Sequence, residues 1–393
     1  MSEVWICSAK RTAIGAFMGS LKDVPAVDLG VVVSKAILAE TGVPPTRINE
    51  LIAGSVLQAG QGMNPARQVA LKAGLPVEST AFTVNRVCGS GLQAIVIGAQ
   101  QILLKEADLI LAGGIENMSR APYLLPKARA GLRLGHETIV DGMITDGLWD
   151  VFSDEHMGIT AENLAAKYAI SRQEQDDYAL SSQHKASQAI REGQFQEEIA
   201  PVSIPQGKGE PLSFLVDEYV RMDASLEKLA RLRPAFRKDG TVTAGNSSGI
   251  NDGAAFVLLA SRECAKELGL KPLAVIRSWA VAGVEPKEMG LGPVPATRKA
   301  VEKAGMSLDQ VELLELNEAF AAQSLAVQRE LQVLPERVNP NGGAIALGHP
   351  IGASGARILV TLLHEMAHHE VCIGLAALCI GGGQGIALLA ERV

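Results

Sequence analysis

Aromatic side chains are scarce in this 393-residue sequence, which has 3 Trp, 4 Tyr and 8 Phe. Aliphatic residues must fill the core instead, and a hydrophobic share of 47% is enough to exclude wholesale disorder. Cysteine is sparse too. Cys7, Cys88, Cys264, Cys372 and Cys379 are odd in number and never form a CxxC pair. That usage argues against a disulfide framework or a cysteine zinc site, and no metal is expected. Positive charge is in deficit, with 36 Lys and Arg against 43 Asp and Glu and a formal charge of −7. Nucleic acid needs a basic surface, so it is not an expected partner, whereas a small anion needs only a local basic patch. Residues 1–12 lack both an apolar signal core and an Arg/Ser-rich leader, and Glu391-Arg392-Val393 is no peroxisomal address. The expected location is the cytoplasm. Residues 373–390 are apolar enough to pass for a membrane span, but Gly374, Gly381, Gly382, Gly383 and Gly385 interrupt them. They read as two buried strands joined by a glycine turn, and no membrane association is expected.

What is present is a chain too long for one compact core, so two or more domains are expected. Apolar runs of strand length, such as residues 107–114 (ADLILAGG) and 374–382 (GLAALCIGG), alternate with helical patterns. This is the signature of an α/β fold with covered sheets. Residues 119–249 are richer in charge and loops, with exposed helices such as residues 159–193, and read as an insertion. The flanking halves echo each other: Gly42 matches Gly305, Ile48 matches Val311 and Leu51 matches Leu314, all at an offset of 263. Val84-Asn85 and Val338-Asn339 each precede a small-residue loop, a helix and a strand ending in glycines. An internal duplication of a βαβ-type unit accounts for both matches.

Four segments carry chemistry. In residues 83–101 (TVNRVCGSGLQAIVIGAQQ), Cys88 sits among glycines, ahead of a helical stripe of Leu92, Ile95, Val96, Ala99, Ile102 and Leu103. A thiol at a helix N-terminus is expected to have its pKa lowered toward neutrality. On its own the segment fits a nucleophile and a buried apolar filler equally. In residues 339–357 (NPNGGAIALGHPIGASGAR), His349 lies on a tight small-residue loop, suited either to acid–base work or to bonding the loop. Residues 378–385 (LCIGGGQG) put Cys379 at a strand end beside unobstructed backbone N–H groups, a potential oxyanion hole. Asn317, in ELNEAFAAQ, lies between a strand and a helix, where an N-cap is the plain alternative.

Together these segments resemble the thiolase family, in its short-chain acetyl-CoA acetyltransferase branch. The likeness runs almost end to end: Asn64-Pro65-Ala66-Arg67-Gln68, Val87-Cys88-Gly89-Ser90-Gly91, Glu116-Asn117-Met118-Ser119, His156-Met157-Gly158, Asn246 to Gly249, Asn317-Glu318-Ala319-Phe320, Gly348-His349-Pro350 and Cys379 to Gly385. The resemblance implies a layered αβαβα architecture of two similar halves, with an N-terminal half of residues 1–118 and 250–270. A loop domain, residues 119–249, would bind coenzyme A and serve oligomerisation, and residues 271–393 would form the C-terminal half. It implies reversible Claisen condensation of two acetyl-CoA to acetoacetyl-CoA plus CoA, in a cytoplasmic homotetramer or less often a dimer. CoA would be substrate and product, with no separate cofactor. Cys88 would be acylated, with His349 increasing its thiolate character, and Cys379 would move the α-proton. One oxyanion hole would use His349 and a water on Asn317, the other the N–H groups of Cys88 and Gly381. Leu148, His156, Met157, Arg221, Phe236, Ala244, Ser248, Met289 and Phe320 would line the CoA pocket. Many relatives carry alanine where this chain has Ser247. Two alternatives stand beside this: a degradative 3-ketoacyl-CoA thiolase of broader chain length, and a non-catalytic CoA or lipid carrier on the same scaffold.

One motif points elsewhere. His364-Glu365-Met366-Ala367-His368 matches HExxH, the zinc-protease helix. However, Thr361, His364, Glu365 and His368 lie opposite the apolar stripe and read as a solvated face.

Overall fold

The computed structural model describes residues 3–207 and 209–393. Nine strands share one hydrogen-bonded path: β1 (Val4–Arg11), β2 (Glu50–Gly54), β3 (Thr80–Val84), β4 (Leu109–Asn117), β5 (Asn251–Ser261), β6 (Ala274–Gly283), β7 (Leu313–Leu316), β8 (Ile373–Ile380) and β9 (Gln384–Arg392). Their order is β7-β8-β9-β6-β1-β5-β4-β2-β3, and the short strand Gly15–Ala16 pairs with β5. The order mirrors itself about β1 and β6. On one side β3, β2 and β4 run parallel, then β4 meets β5 and β5 meets β1 in antiparallel fashion. On the other, Val338 bridges in parallel to β7, β7 lies parallel to β8, and β8–β9 and β9–β6 are antiparallel. The two sides meet where Trp5 pairs with Val275 and Ile6 with Ala274.

Nine helices serve the argument: α1 (Ala26–Thr41), α2 (Pro65–Ala73), α3 (Ser90–Leu103), α4 (Met157–Lys167), α5 (Arg172–Glu192), α6 (Pro293–Lys303), α7 (Ala321–Leu331), α8 (Ala344–Leu347) and α9 (Ser354–His368). Apart from the edge strand β3, the strands are largely buried on both faces, and alternate residues enter different cores. On β4, Leu109 and Leu111 join α1 and α2, while Ile110 and Ala112 join α3 and α9. On β8, Leu375 and Ala377 face α6 and α7, while Ala376 and Leu378 face α3 and α9. The central pair α3 and α9 is therefore sandwiched between the two sides of the sheet, giving αβαβα layers. The mirrored strand ends are connected unequally: residues 118–250 link β4 to β5, whereas Gly381, Gly382 and Gly383 alone link β8 to β9.

Several expectations need correction. The strand expected at residues 107–114 begins at Leu109 and runs on through Glu116 and Asn117, because Asp252 and Gly253 of β5 pair with them. The helical region expected at 159–193 is two helices, α5 being started by a capping box between Ser171 and Glu174. Nor is it simply exposed: Gln175, Asp176, Ser182 and Gln183 are buried. Leu103 leaves the buried stripe of α3 for solvent. Asn317 does not cap a helix, since α7 is preceded by Phe320. The HExxH face is solvated only in part: His368 is exposed and His364 half-buried, but Thr361 and Glu365 are buried, Thr361 donating to Glu198 (3.2 Å) and Asn341 to Glu365. Among the described residues no His, Cys, Asp or Glu group is arranged to hold a metal ion. Among them, too, no helix is long and apolar enough to cross a membrane.

Candidate active site

The turn between β3 and α3 carries Cys88, and it is strained. Val87 has φ +45°, a left-handed conformation that costs a β-branched residue about 1–3 kcal/mol. Side chains hold it there. Asn85 Oδ1 accepts the Val87 N–H (2.9 Å), and Ser90 Oγ accepts from the Arg86 N–H (2.8 Å) while donating to the Val87 carbonyl (2.6 Å). Gly89 is required by contact, because a Cβ there would stand 2.5 Å from Ile380 Cδ1.

So placed, the Cys88 sulfur lies near the backbone N–H groups of Gly381 and of Cys88 itself, and both pull its pKa down. The expected low pKa is nevertheless wrong. The residue is half-buried, yet desolvation outweighs both donors, the Glu116 charge adds to it, and the thiol is pushed up to about 11. Cys379, buried at the end of β8, is raised by burial first and by the neighbouring Cys88 second.

His349 sits between α8 and α9. Its N–H donates to Asn251 Oδ1 (2.9 Å), and a Cβ on the preceding Gly348 (φ +110°) would meet Asn251 Cγ at 2.5 Å. Burial, then the Arg357 charge, lowers its pKa to about 4, so the ring is neutral near pH 7. The hydrogen-bond network assigns its tautomer. The Ser354 hydroxyl donates to the Pro350 carbonyl (2.9 Å), so it accepts from Nδ1–H at 2.6 Å. Nε2 is left with its lone pair toward the amide nitrogen of Asn317, 3.5 Å away, while Asn317 Oδ1 is buried without a partner. The resting site is thus neutral throughout: two thiols, one imidazole and one amide. Its base is an unprotonated Nε2.

Around it lies an apolar wall. Met157, Met289, Phe320 and Cys379 share a buried cluster with Phe236 against it. His156 stacks on Phe236 at 4.7 Å, and its Nδ1 accepts the Gly158 N–H (3.1 Å), which puts the ring proton of the neutral form on Nε2. Leu148 packs with Cys88 and Ile351 in a second cluster. The Ser248 N–H donates to the Ala319 carbonyl (2.9 Å), beside Phe320. A cavity of about 180 Å³ lies over Val87, Met157, Gly381 and Gly382. Arg221 and Ala244 stand apart from these clusters on exposed surface, Arg221 lying 5.8 Å from the Tyr219 ring. Ser247 donates to the Thr243 carbonyl (2.7 Å), a bond alanine cannot make.

Sequence reasoning missed the residues that hold this constellation. Glu318 accepts from Ser182 Oγ (2.7 Å), Asn339 Nδ2 (2.9 Å) and the Ile345 N–H (3.2 Å), fixing the segment before His349. Asn251, Ser354 and Glu116 act on the segment itself or beyond it. Glu116 and Glu318 both lie inside motifs the resemblance rests on, and that was the one available signal.

Residues 4–263 match the thiolase N-terminal domain and residues 270–392 the thiolase C-terminal domain. An acetyl-CoA acetyltransferase of Pseudomonas aeruginosa is 60% identical over 392 residues, spanning all of both chains. A probable acetyl-CoA acyltransferase of Staphylococcus aureus is 57% identical over the same length, again all of both chains. Among solved structures, the Bacillus anthracis acetyl-CoA acetyltransferase superposes with a TM-score of 0.98 at 48% identity, covering 100% of this chain and 99% of that one. Human mitochondrial 3-ketoacyl-CoA thiolase gives 0.97 at 45%, with the same coverage. With both domain models matched and full-length likeness in sequence and structure, the chain belongs to the thiolase family.

Proposed function

We propose that the chain is an acetyl-CoA C-acetyltransferase, catalysing reversible Claisen condensation of two acetyl-CoA to acetoacetyl-CoA plus CoA through an acyl-Cys88 intermediate. The Gly381 N–H near the Cys88 sulfur carries the reading most directly. With the N–H of Cys88, it is the donor pair an oxyanion on acyl-Cys88 would need, and such a donor is typically worth about 3–4 kcal/mol of barrier. His349 Nε2 takes the Cys88 proton during acylation. Cys379 gives its own proton to the departing CoA thiolate, and the Cys379 thiolate so formed removes the α-proton of the second acetyl-CoA. The enolate oxygen is then held by the Nε2–H of His349 and a water on Asn317, and after the enolate attacks acyl-Cys88 the released Cys88 thiolate regains its proton from His349. A resting neutral site suits this sequence, because charge appears only as each thioester arrives. Splitting the reaction at the acyl-enzyme makes the kinetics ping-pong.

Residues 119–249 form the CoA-binding part between halves made of 1–118 with 250–270 and of 271–393. Leu148, His156, Met157, Phe236, Ser248, Met289 and Phe320 would take the pantetheine arm, and Arg221 and Ala244 the outer end of CoA. The active form is a cytoplasmic homotetramer. The second reading, thiolysis of longer 3-ketoacyl-CoA chains, is supported by the nearly as close superposition of the human 3-ketoacyl-CoA thiolase.

The test is acetoacetyl-CoA cleavage by free CoA, comparing wild type with Cys88→Ser and Cys379→Ala, followed by a series of longer substrates. Rapid wild-type turnover, both variants down at least about a thousandfold, and collapse of activity beyond four carbons are expected. Faster turnover of longer chains would move the assignment to the second reading. A folded wild type that neither turns over nor acylates Cys88 by intact mass would leave only a carrier.

A further inference from the structure

Glu116 is buried, has no cation within ion-pair distance among the described residues, and lies close enough to Cys88 to raise its pKa. Its oxygens accept three backbone N–H groups from two loops distant in sequence. Oε2 accepts from Val56 (3.0 Å) and Gly352 (3.0 Å), and Oε1 from Leu57 (3.2 Å). Val56 and Leu57 follow β2. Gly352 follows His349 by three residues and has no room for a side chain: a Cβ there would stand 2.7 Å from Oε2 itself and 2.7 Å from the Ile115 carbonyl. On the same strand, a Cβ on Gly114 would stand 2.1 Å from the Gly352 carbonyl. The His349 loop is thus pressed backbone to backbone onto the end of β4, with the carboxylate as its fastening. Val56, Leu57 and Ile351 also form the apolar cluster against which Cys88 packs.

Three converging N–H donors call for a group with acceptors only. An amide would turn its NH₂ toward one of them, and a hydrocarbon would leave all three buried and unsatisfied. Structural need alone could be met by a carboxylate far from the chemistry, but the loops this one holds are those Cys88 packs against, and its charge raises the thiol pKa. Desolvation pushes Glu116 up to about 7, against the pull of the three donors, and Asp252 of β5 raises it further. Asp252 is itself raised to about 6 while held by Ser119.

We propose that Glu116 is a positioning residue for the Cys88–His349 site, fastening the two loops that flank the nucleophile and setting the electrostatic potential at its sulfur. In the part concerning acylation this rests on the acyl-transfer reading.

The experiment compares wild type with Glu116→Gln in two assays: the rate of Cys88 acetylation by acetyl-CoA, followed by intact mass, and the rate of Cys88 alkylation by iodoacetamide between about pH 6 and 10. Below the thiol pKa, alkylation rises tenfold per pH unit, in proportion to thiolate. In wild type, as pH falls through about 7, Glu116 takes up a proton and its penalty on the thiolate vanishes, so the slope flattens there. Glu116→Gln should give a straight line, displaced to faster alkylation by about threefold or more at high pH. Its acetylation should nonetheless slow about tenfold or more, because the loops are no longer fastened. A role confined to stability would leave the shape of the alkylation profile unmoved. Superposition of the two alkylation profiles, or acetylation at the wild-type rate, overturns the proposal. Should Glu116→Gln fail to fold, Glu116→Asp keeps the charge and shortens the reach. It should retain the bend while acetylating slowly, and wild-type acetylation by it overturns the proposal. Wild type that is alkylated normally but never acetylated sinks the acyl-transfer reading instead, and the alkylation profiles still decide on Glu116.

Discussion

Ser354 has a single hydroxyl proton and two acceptors within reach, and where it goes decides what His349 can do. Given to Pro350, it leaves Oγ free to accept from Nδ1–H, and Nε2 keeps the lone pair that a base requires. Ser354→Ala removes that orientation, and the imidazole can then carry its proton on either nitrogen. Acetylation of Cys88 should slow about tenfold, in line with the loss of an orienting partner, with little change in melting temperature. Single-turnover mass measurements would check it, and an unchanged rate would mean that packing alone orients the ring. At this scale the sequence pointed to the candidate residues that stand in an unusual neighbourhood, Cys88, His349 and Cys379 among glycines. It was not legible for Asn251, whose partners lie at Gly15 and His349. The thiol pKa also went wrong locally, because helix position can be read from neighbours in the chain and burial cannot.

At the scale of elements, the site depends on two helices touching without side chains between them. A Cβ on Gly91 of α3 would stand 2.8 Å from the Ala356 nitrogen, and one on Gly355 of α9 would stand 2.5 Å from the Leu92 nitrogen. Gly355→Ala should push the two N-termini apart, destabilise by about 1–3 kcal/mol, and remove most of the thiolysis activity by separating Cys88 from His349. Urea unfolding together with turnover would show it, and full activity in the variant would rule out the contact as the determinant of site geometry. Most elements were readable. The two C-terminal strands emerged from their glycine turn, and the repeat was visible in the matched positions of Gly42 and Gly305, both at positive φ. What stayed hidden was burial of polar faces. The Thr361–Glu365 side of α9 resembles a solvated surface in the sequence and is covered by Glu198 and Asn341, which lie far along the chain. The end of β4 was likewise obscured, because Glu116 and Asn117 are polar residues inside a strand.

For the whole molecule, buried acids set how stability follows pH. Glu315 is raised to about 8 by desolvation in spite of Arg357 at 3.2 Å, and Glu116 and Asp252 to about 7 and 6. Each keeps a proton in the native state that the unfolded chain has released, so the stability it contributes is lost as pH rises toward those values. His349 acts from the other side: lowered to about 4, it stays neutral while the unfolded ring takes up a proton, and stability falls as pH drops below about 6.5. Three acids outweigh one imidazole, so melting temperature should fall from about pH 4.5 to about pH 8.5, with Glu315→Gln making the fall shallower. Melts across that range test it, and a curve still climbing at the alkaline end would contradict it.

The meeting of β1 and β6 at two residue pairs has a further bearing on how such a molecule fails. Cys88 belongs to one side of that seam, while Asn317, His349 and Cys379 belong to the other, so a slight parting there and at the α3–α9 contact would scatter the constellation while the outer helical layers stayed folded. Heat inactivation would then run ahead of melting. The half-life of activity would gauge the seam and the α3–α9 contact together, and thermal hardening of the enzyme would begin with stitching along Trp5, Ile6, Ala274 and Val275 rather than with enlarging the outer cores.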